Sequence, residues 1–179
     1  LLLDELEPHQ YLSCDVAIVA NPDPEDLKKL PHLQWIHSLW AGVEKLVESS
    51  NENNSLQIVR LIDHQLSETM SEAVLAWTLY LHRDMPNYIK QQKQKLWLPH
   101  EYIPAKEKTV SLLGLVELGS AAALKLVDHG FNVCGWSRTS KIIPNLECYT
   151  GKGGLKKMLA KTDIIISMLP LTYETKGFI

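Results

Sequence analysis

The sequence predicts an α/β protein made of two parallel-sheet units. Three observations predict it: short apolar runs recur along the chain, helical-period stretches alternate with them, and a glycine-bounded turn joins one such run to one such stretch. Residues 16–20 (VAIVA) form the first run, continuous enough for a strand covered on both faces. Asn21-Pro22-Asp23-Pro24 breaks it and starts a short helix over 25–30. Residues 35–39 read as a second strand. Residues 41–49 read as a helix with Val43, Leu46 and Val47 on one face, followed by a polar loop at 51–55 (NENNS) and a third strand over 58–62.

The period then changes. Met70, Ala73, Val74, Trp77 and Leu81 recur at helical spacing, and Thr69-Met70-Ser71-Glu72 matches a capping box at the helix start. Pro86 should kink or end this helix. The polar stretch 90–95 (KQQKQK) reads as a solvated helix face rather than a binding patch. Two prolines and several charges over 99–108 suggest a boundary.

A second α/β unit follows. Residues 109–114 (TVSLLG) read as a buried strand. Residues 118–129 read as a helix, with small residues at 121–123 and Gly130 placed to end it. A strand over 132–136, a helix over 154–160 and another buried strand over 163–168 (DIIISM) complete the pattern. The expected division is 1–69, a linking helix and connector over 70–107, and 108–179. No internal repeat or low-complexity segment interrupts it.

Composition narrows the function. The 179 residues are 45% hydrophobic with a formal charge of -3, a globular composition with no basic face for nucleic acid. No apolar run approaches the ~20 residues of a membrane helix, and Leu1-Leu2-Leu3 is followed by acids, unlike a secretory signal. Cys14, Cys134 and Cys148 form no CxxC pair, so a reducing, cytoplasmic compartment is expected. The chain does not open with Met and closes at Phe178-Ile179, so both parallel-sheet domains are expected to be incomplete.

Chemistry points to Gly114-Leu115-Val116-Glu117-Leu118-Gly119. Between strand and helix, a G-x-G-x-x-G turn cradles a dinucleotide. Its first glycine turns tightly, its third lets helix and strand approach, and the helix-start amides hold a pyrophosphate. Here the second glycine is Val116, whose side chain falls where the phosphates approach. Roughly 20 residues on, where such folds read the ribose, stands Ser137-Arg138-Thr139 with no acid. A guanidinium suits a 2′-phosphate, so NADPH is expected over NADH.

Several stretches together resemble one family, the D-isomer-specific 2-hydroxyacid dehydrogenases, with the nearest likeness to the glyoxylate/hydroxypyruvate reductase A group. They are LQWIHSLWAGVEKLV at 33–47, residues 72–92 around HRDMP, 112–119, GWSRT at 135–139 and LPLTYETKG at 169–177. The resemblance implies a substrate domain and a Rossmann-like coenzyme domain, both flavodoxin-like or Rossmann-like parallel-sheet folds. It implies that backbone amides of Trp40, Ala41, Gly42 and Val43 hold the substrate carboxylate. It also implies that Gly114, Val116, Glu117, Leu118 and Gly119 border the pyrophosphate, and that Leu169, Pro170 and Thr175 run beside the ribose and nicotinamide.

The implied reaction is hydride transfer from NADP(H) to a small 2-oxo acid. The implied partner is a second copy in a homodimer, with neither nucleic acid nor membrane. The family's catalytic Arg, Glu and His lie downstream of the LPLT-type segment, so no catalytic residue is expected within this chain, and the chain alone is expected to be inactive. The seven histidines lack metal-ligand spacing and read as structural, with no metal implied. The alternative is a catalytically inactive paralogue that serves as a binding or corepressor-like interaction module.

Overall fold

A computed structural model describes residues 2–50 and 56–178, and the polar loop expected at 51–55 lies outside the described residues. The chain divides into two compact units. One comprises residues 2–62 with 170–178, the other Asp63–Leu169.

In the first unit β1 (Val16–Val19), α1 (Pro24–Lys28), β2 (Trp35–Ser38), α2 (Glu44–Ser50) and β3 (Gln57–Arg60) form a parallel sheet in the order β1-β2-β3. Asp23 caps α1 by accepting from the Glu25 amide at 3.0 Å, as the Pro/Asp signal predicts. Leu30, Leu33, Ile36 and Leu46 make the core. Two expectations fail here. β1 is not covered on both faces: Val16 and Ile18 are exposed, and so is Trp35, in register with Val16 on the central β2, because no helix covers that face of the sheet among the described residues. The second helix begins at Glu44, not at residue 41, and Val47 is exposed rather than on the buried face.

The second unit opens with two helices, α3 (His64–His82) and α4 (Met85–Lys93). The capping box at Thr69 and Glu72 does not start α3. Asp63 does, accepting from the Gln65 amide at 2.9 Å, while the Thr69 hydroxyl donates to the Gln65 carbonyl at 2.9 Å inside the helix. The buried face also differs from the apolar stripe. It is Ser67, Ser71, Val74 and Thr78, and Trp77 and Leu81 are exposed. α3 packs on α5 (Glu117–Asp128), whose buried face is Gly119, Ala122, Ala123 and Leu126. Small side chains bring the helices close. The Ser71 and Thr78 hydroxyls are burial-tolerant because each donates 2.7 Å to a carbonyl four residues back. Pro86 falls in the first turn of α4, so the chain breaks before it, as expected.

The sheet of this unit holds β4 (Thr109–Leu113), β5 (Asn132–Ser137), β6 (Glu147–Thr150) and β7 (Ile164–Ser167), all parallel, in the order β6-β5-β4-β7. β4 and β5 are central and buried. β7, expected to be buried, is an edge with Ile165 partly exposed, and β6 escaped sequence reading because ECYT is short and half polar. Gly130, at φ +83°, ends α5 as the sequence predicts. α6 (Gly151–Leu159) packs on β5 and β6, burying Met158. At the amino edge Asp163 accepts from the Thr109 amide at 2.8 Å and from Lys108 Nζ at 3.1 Å, which holds its carboxyl below the usual carboxylate range.

Candidate coenzyme and substrate sites

The chain runs outward along β4 and β5 and leaves the sheet at one edge. There the strand order reverses, β5 and β6 lying to one side of β4 and β7 to the other. In open α/β sheets such a point leaves a crevice beyond the strand ends. Gly114 makes the turn out of β4 at φ +95°, where a side chain would sit 3.0 Å from the Met168 carbonyl. Gly119 lies against the Gly114 carbonyl oxygen, 1.8 Å from where a Cβ would be. Both glycines are therefore demanded by geometry, as the motif predicts.

Val116 occupies the N-cap of α5 at φ -91°, ψ -163°, an extended conformation that any residue adopts, with its side chain exposed and no side-chain cap on the helix. The first α5 hydrogen bond runs from the Ser120 amide to the Val116 carbonyl at 2.8 Å. The amides of Glu117, Leu118 and Gly119 thus head the helix without intrahelical acceptors, a setting that favours an anion. The exposed carboxylate of Glu117, in the same first turn, opposes one.

The Gly114 amide donates to the Trp136 carbonyl at 2.8 Å, so the glycine turn and the end of β5 lie side by side. Directly after Trp136, the Ser137 hydroxyl donates to the Thr139 carbonyl at 2.6 Å and the Thr150 hydroxyl donates to the Arg138 carbonyl at 2.9 Å. These bonds fix the turn that carries Arg138, whose side chain is exposed. Leu169, just beyond β7, comes within 3.3 Å of a Cβ placed on Gly114. Gly114, Val116, Glu117, Leu118, Gly119, Ser137, Arg138, Thr139 and Leu169 are thus gathered at one edge. Pro170 and Thr175 belong to the other unit, where the Thr175 hydroxyl closes a turn by donating to the Pro170 carbonyl and accepting from the Thr172 amide at 2.8 Å.

The first unit carries the second predicted group. At the carboxyl end of β2 the buried Ser38 hydroxyl accepts from the Trp40 amide at 3.1 Å and donates to the Trp40 carbonyl at 3.0 Å. The Trp40 amide is therefore engaged, and Ala41, Gly42 and Val43 are left as donors ahead of α2. The Val43 carbonyl accepts its first helical bond, from Val47 at 2.9 Å. Asn21, Pro22, Trp40, Gly42, Val43 and Glu44 border a cavity of about 260 Å³. The Glu44 carboxylate folds back to 2.9 Å from a Cβ on Gly42. Sequence reading missed Arg60, which ends β3 and donates from Nη1 to the Ala41 carbonyl at 3.0 Å. The expected strand over 58–62 put Arg60 at its middle, and only the observed end of β3 at residue 60 sets it beside the loop.

Among the described residues no group of three or more His, Cys, Asp or Glu is placed to hold a metal, and no helix is long and apolar enough to cross a membrane. The three cysteines are free, and burial pushes the Cys134 thiol up, away from reactivity.

Residues 75–179 match the family described as D-isomer specific 2-hydroxyacid dehydrogenase, NAD binding domain. A glyoxylate/hydroxypyruvate reductase A of Yersinia enterocolitica is 34% identical over 170 residues, which are 92% of this chain and 54% of that protein. Among solved structures, a D-isomer specific 2-hydroxyacid dehydrogenase of Xanthobacter autotrophicus in complex with NADPH and MES aligns with TM-score 0.84 and 36% identity, over 96% of this chain and 53% of that one. An NADPH-dependent glyoxylate/hydroxypyruvate reductase of Sinorhizobium meliloti, with NADP and sulfate, aligns with TM-score 0.83 and 32% identity, over 94% and 54%. The chain spans about half the length of the relatives it matches. With more than half its residues matched to the family's coenzyme-binding domain, and with the glycine turn that such a domain requires, the chain belongs to the D-isomer specific 2-hydroxyacid dehydrogenases.

Proposed function

We propose that this chain supplies the substrate-anchoring loop and the front of the coenzyme site of an NADPH-dependent reductase of small 2-oxo acids such as glyoxylate or hydroxypyruvate, acting as a cytoplasmic homodimer. In this reading residues 1–69 belong to the substrate domain, 70–107 link, and 108–179 begin the coenzyme domain. The carrying observation is the 2.8 Å bond from the Gly114 amide to the Trp136 carbonyl, which sets the phosphate turn beside the strand end that carries Arg138. The two glycines let α5 start directly at the end of β4 with the amides of its first turn free, which supports a diphosphate there.

When bound, the reduced nicotinamide would supply the hydride for the 2-oxo carbon. The chain's own residues bind and orient. Glu117, Leu118 and Gly119 amides and Gly114 face the diphosphate, Arg138 grips the ribose 2′-phosphate, Leu169, Pro170 and Thr175 flank the ribose and nicotinamide, and Ala41, Gly42 and Val43 amides hold the substrate carboxylate. Apolar side chains around Trp97, which is 93% exposed, support a homodimer that covers them.

The test is a titration of the chain and of Arg138→Asp with NADPH and NADH by calorimetry. The wild type should prefer NADPH, and the variant should lose NADPH affinity by about tenfold or more while NADH changes little. A uniform loss for both, or no preference at the outset, sinks the 2′-phosphate assignment. A second reading, an inactive paralogue serving as an interaction module, is favoured by Val116 and Glu117 on the phosphate approach. Absence of binding by either coenzyme would select it.

A further inference from the structure

We infer that Arg60 is a positioning residue that aims the Gly42 amide at the substrate carboxylate, a role that rests on the loop reading proposed above. Arg60 is the last residue of β3 and pairs in register with Ser38, the last residue of β2. From there its Nη1 donates to the Ala41 carbonyl at 3.0 Å, across the loop that leaves β2. The peptide joining Ala41 to Gly42 is planar and trans, so its carbonyl and its N–H point in opposite directions. Drawing the oxygen toward β3 turns the Gly42 N–H the other way.

That other way leads to the cavity. β1 and β3 flank β2 on opposite sides. Asn21 and Pro22, just beyond the end of β1, border the same cavity as Gly42 and Val43. The oxygen therefore faces the β3 side, and the amide faces the cavity on the β1 side. Ser38 holds the Trp40 amide and carbonyl, so the loop is pinned at Trp40 as well as at Ala41.

A guanidinium suits this task. It stays charged, and its planar fork keeps further N–H groups at the loop after one is spent on Ala41. Lysine would keep the charge but not the fork.

The experiment is an amide NMR titration of the chain with oxalate at constant ionic strength, on the wild type, Arg60→Met and Arg60→Lys. Thermal unfolding is recorded for each. In the wild type the amides of Ala41, Gly42 and Val43 should shift on binding. Arg60→Met should weaken oxalate about tenfold and abolish the Gly42 shift, and Arg60→Lys should recover part of the affinity but not the Gly42 shift. Equal affinity and an unchanged Gly42 shift in Arg60→Met overturn the role of Arg60 while leaving the loop reading intact. A Lys variant identical to wild type also overturns it, since charge alone would then suffice, and this arm stands even if the Met variant is unstable. A wild type whose loop amides ignore oxalate overturns the loop reading and Arg60 with it.

Discussion

Gly119 rests on the carbonyl of Gly114: a Cβ on the first would meet the oxygen of the second at 1.8 Å. That contact docks α5 on the end of β4, and no side-chain rotation relieves it because the obstacle is backbone. Gly119→Ala should destabilise the second unit by about 3 kcal/mol or more, or prevent it from folding, because overpacking against backbone shifts helix and strand together. Urea unfolding followed by tryptophan fluorescence measures this. A loss below about 1 kcal/mol would show that the helix can slide away at little cost.

Val116 and Glu117 stand at the proposed diphosphate site on the same turn. Val116→Gly removes an exposed β-branched side chain from the helix N-cap and costs little stability, since glycine is an acceptable N-cap. It should tighten NADPH binding several-fold. Glu117→Gln should do the same by removing a carboxylate from the first turn, by roughly 1 kcal/mol at low salt and less as salt screens it. Calorimetry at two ionic strengths checks both. Unchanged affinity in both variants would mean that neither side chain borders the coenzyme.

Asp163 ties the amino edges of β4 and β7 through the Thr109 amide and Lys108. Its carboxyl is held below 3.8 in the folded chain, first by the backbone bond from Thr109 and then by Lys108. A depressed carboxyl contributes stability that is present above its unfolded value and lost as pH falls through the folded one. Asp163→Asn should therefore cost about 1–2 kcal/mol at neutral pH and flatten the acid limb of the stability curve below pH 4. A parallel acid limb in the variant would assign that limb to other carboxyls.

His82 works near neutrality. Its Nδ1 is buried with no hydrogen-bond partner among the described residues, and its ring meets Phe131 edge-on at 5.0 Å between centroids. Burial first, then Arg83 and Lys108, lower its pKa from 6.5. The unfolded chain therefore takes up a proton at a pH where the folded chain does not. Stability should be full above pH 6.5 and decline as pH falls from there toward the folded value. His82→Phe should remove that slope, read as a melting temperature flat between pH 7 and 5.5. An unchanged slope would assign it to other histidines.

The glycine turn was legible in the sequence because its requirement is local. A left-handed residue after a strand and a close approach one helical turn later leave only glycine at 114 and 119, whatever the rest of the chain does. The strand–helix alternation and the ends of α1 and α5, marked by Asp23 and Gly130, were legible for the same reason. The start of α3 was not. Thr69 and Glu72 carry a valid capping signal, but Asp63 carries an equivalent one six residues earlier, and once a helix is under way an internal threonine simply bonds back to Gln65.

What the sequence by itself determined is the order of strands and helices apart from β6, the glycine turn, and Arg138 beyond the next strand, all set by short-range backbone geometry and spacing. Only the tertiary structure decided which strands are edges, that α3 buries serines and threonine rather than Trp77, and that Arg60 reaches the Ala41 carbonyl. Each of these depends on residues far apart in the chain meeting in space. Burial and long-range hydrogen bonds belong to the pair that meets, and neither member carries the sign of it alone.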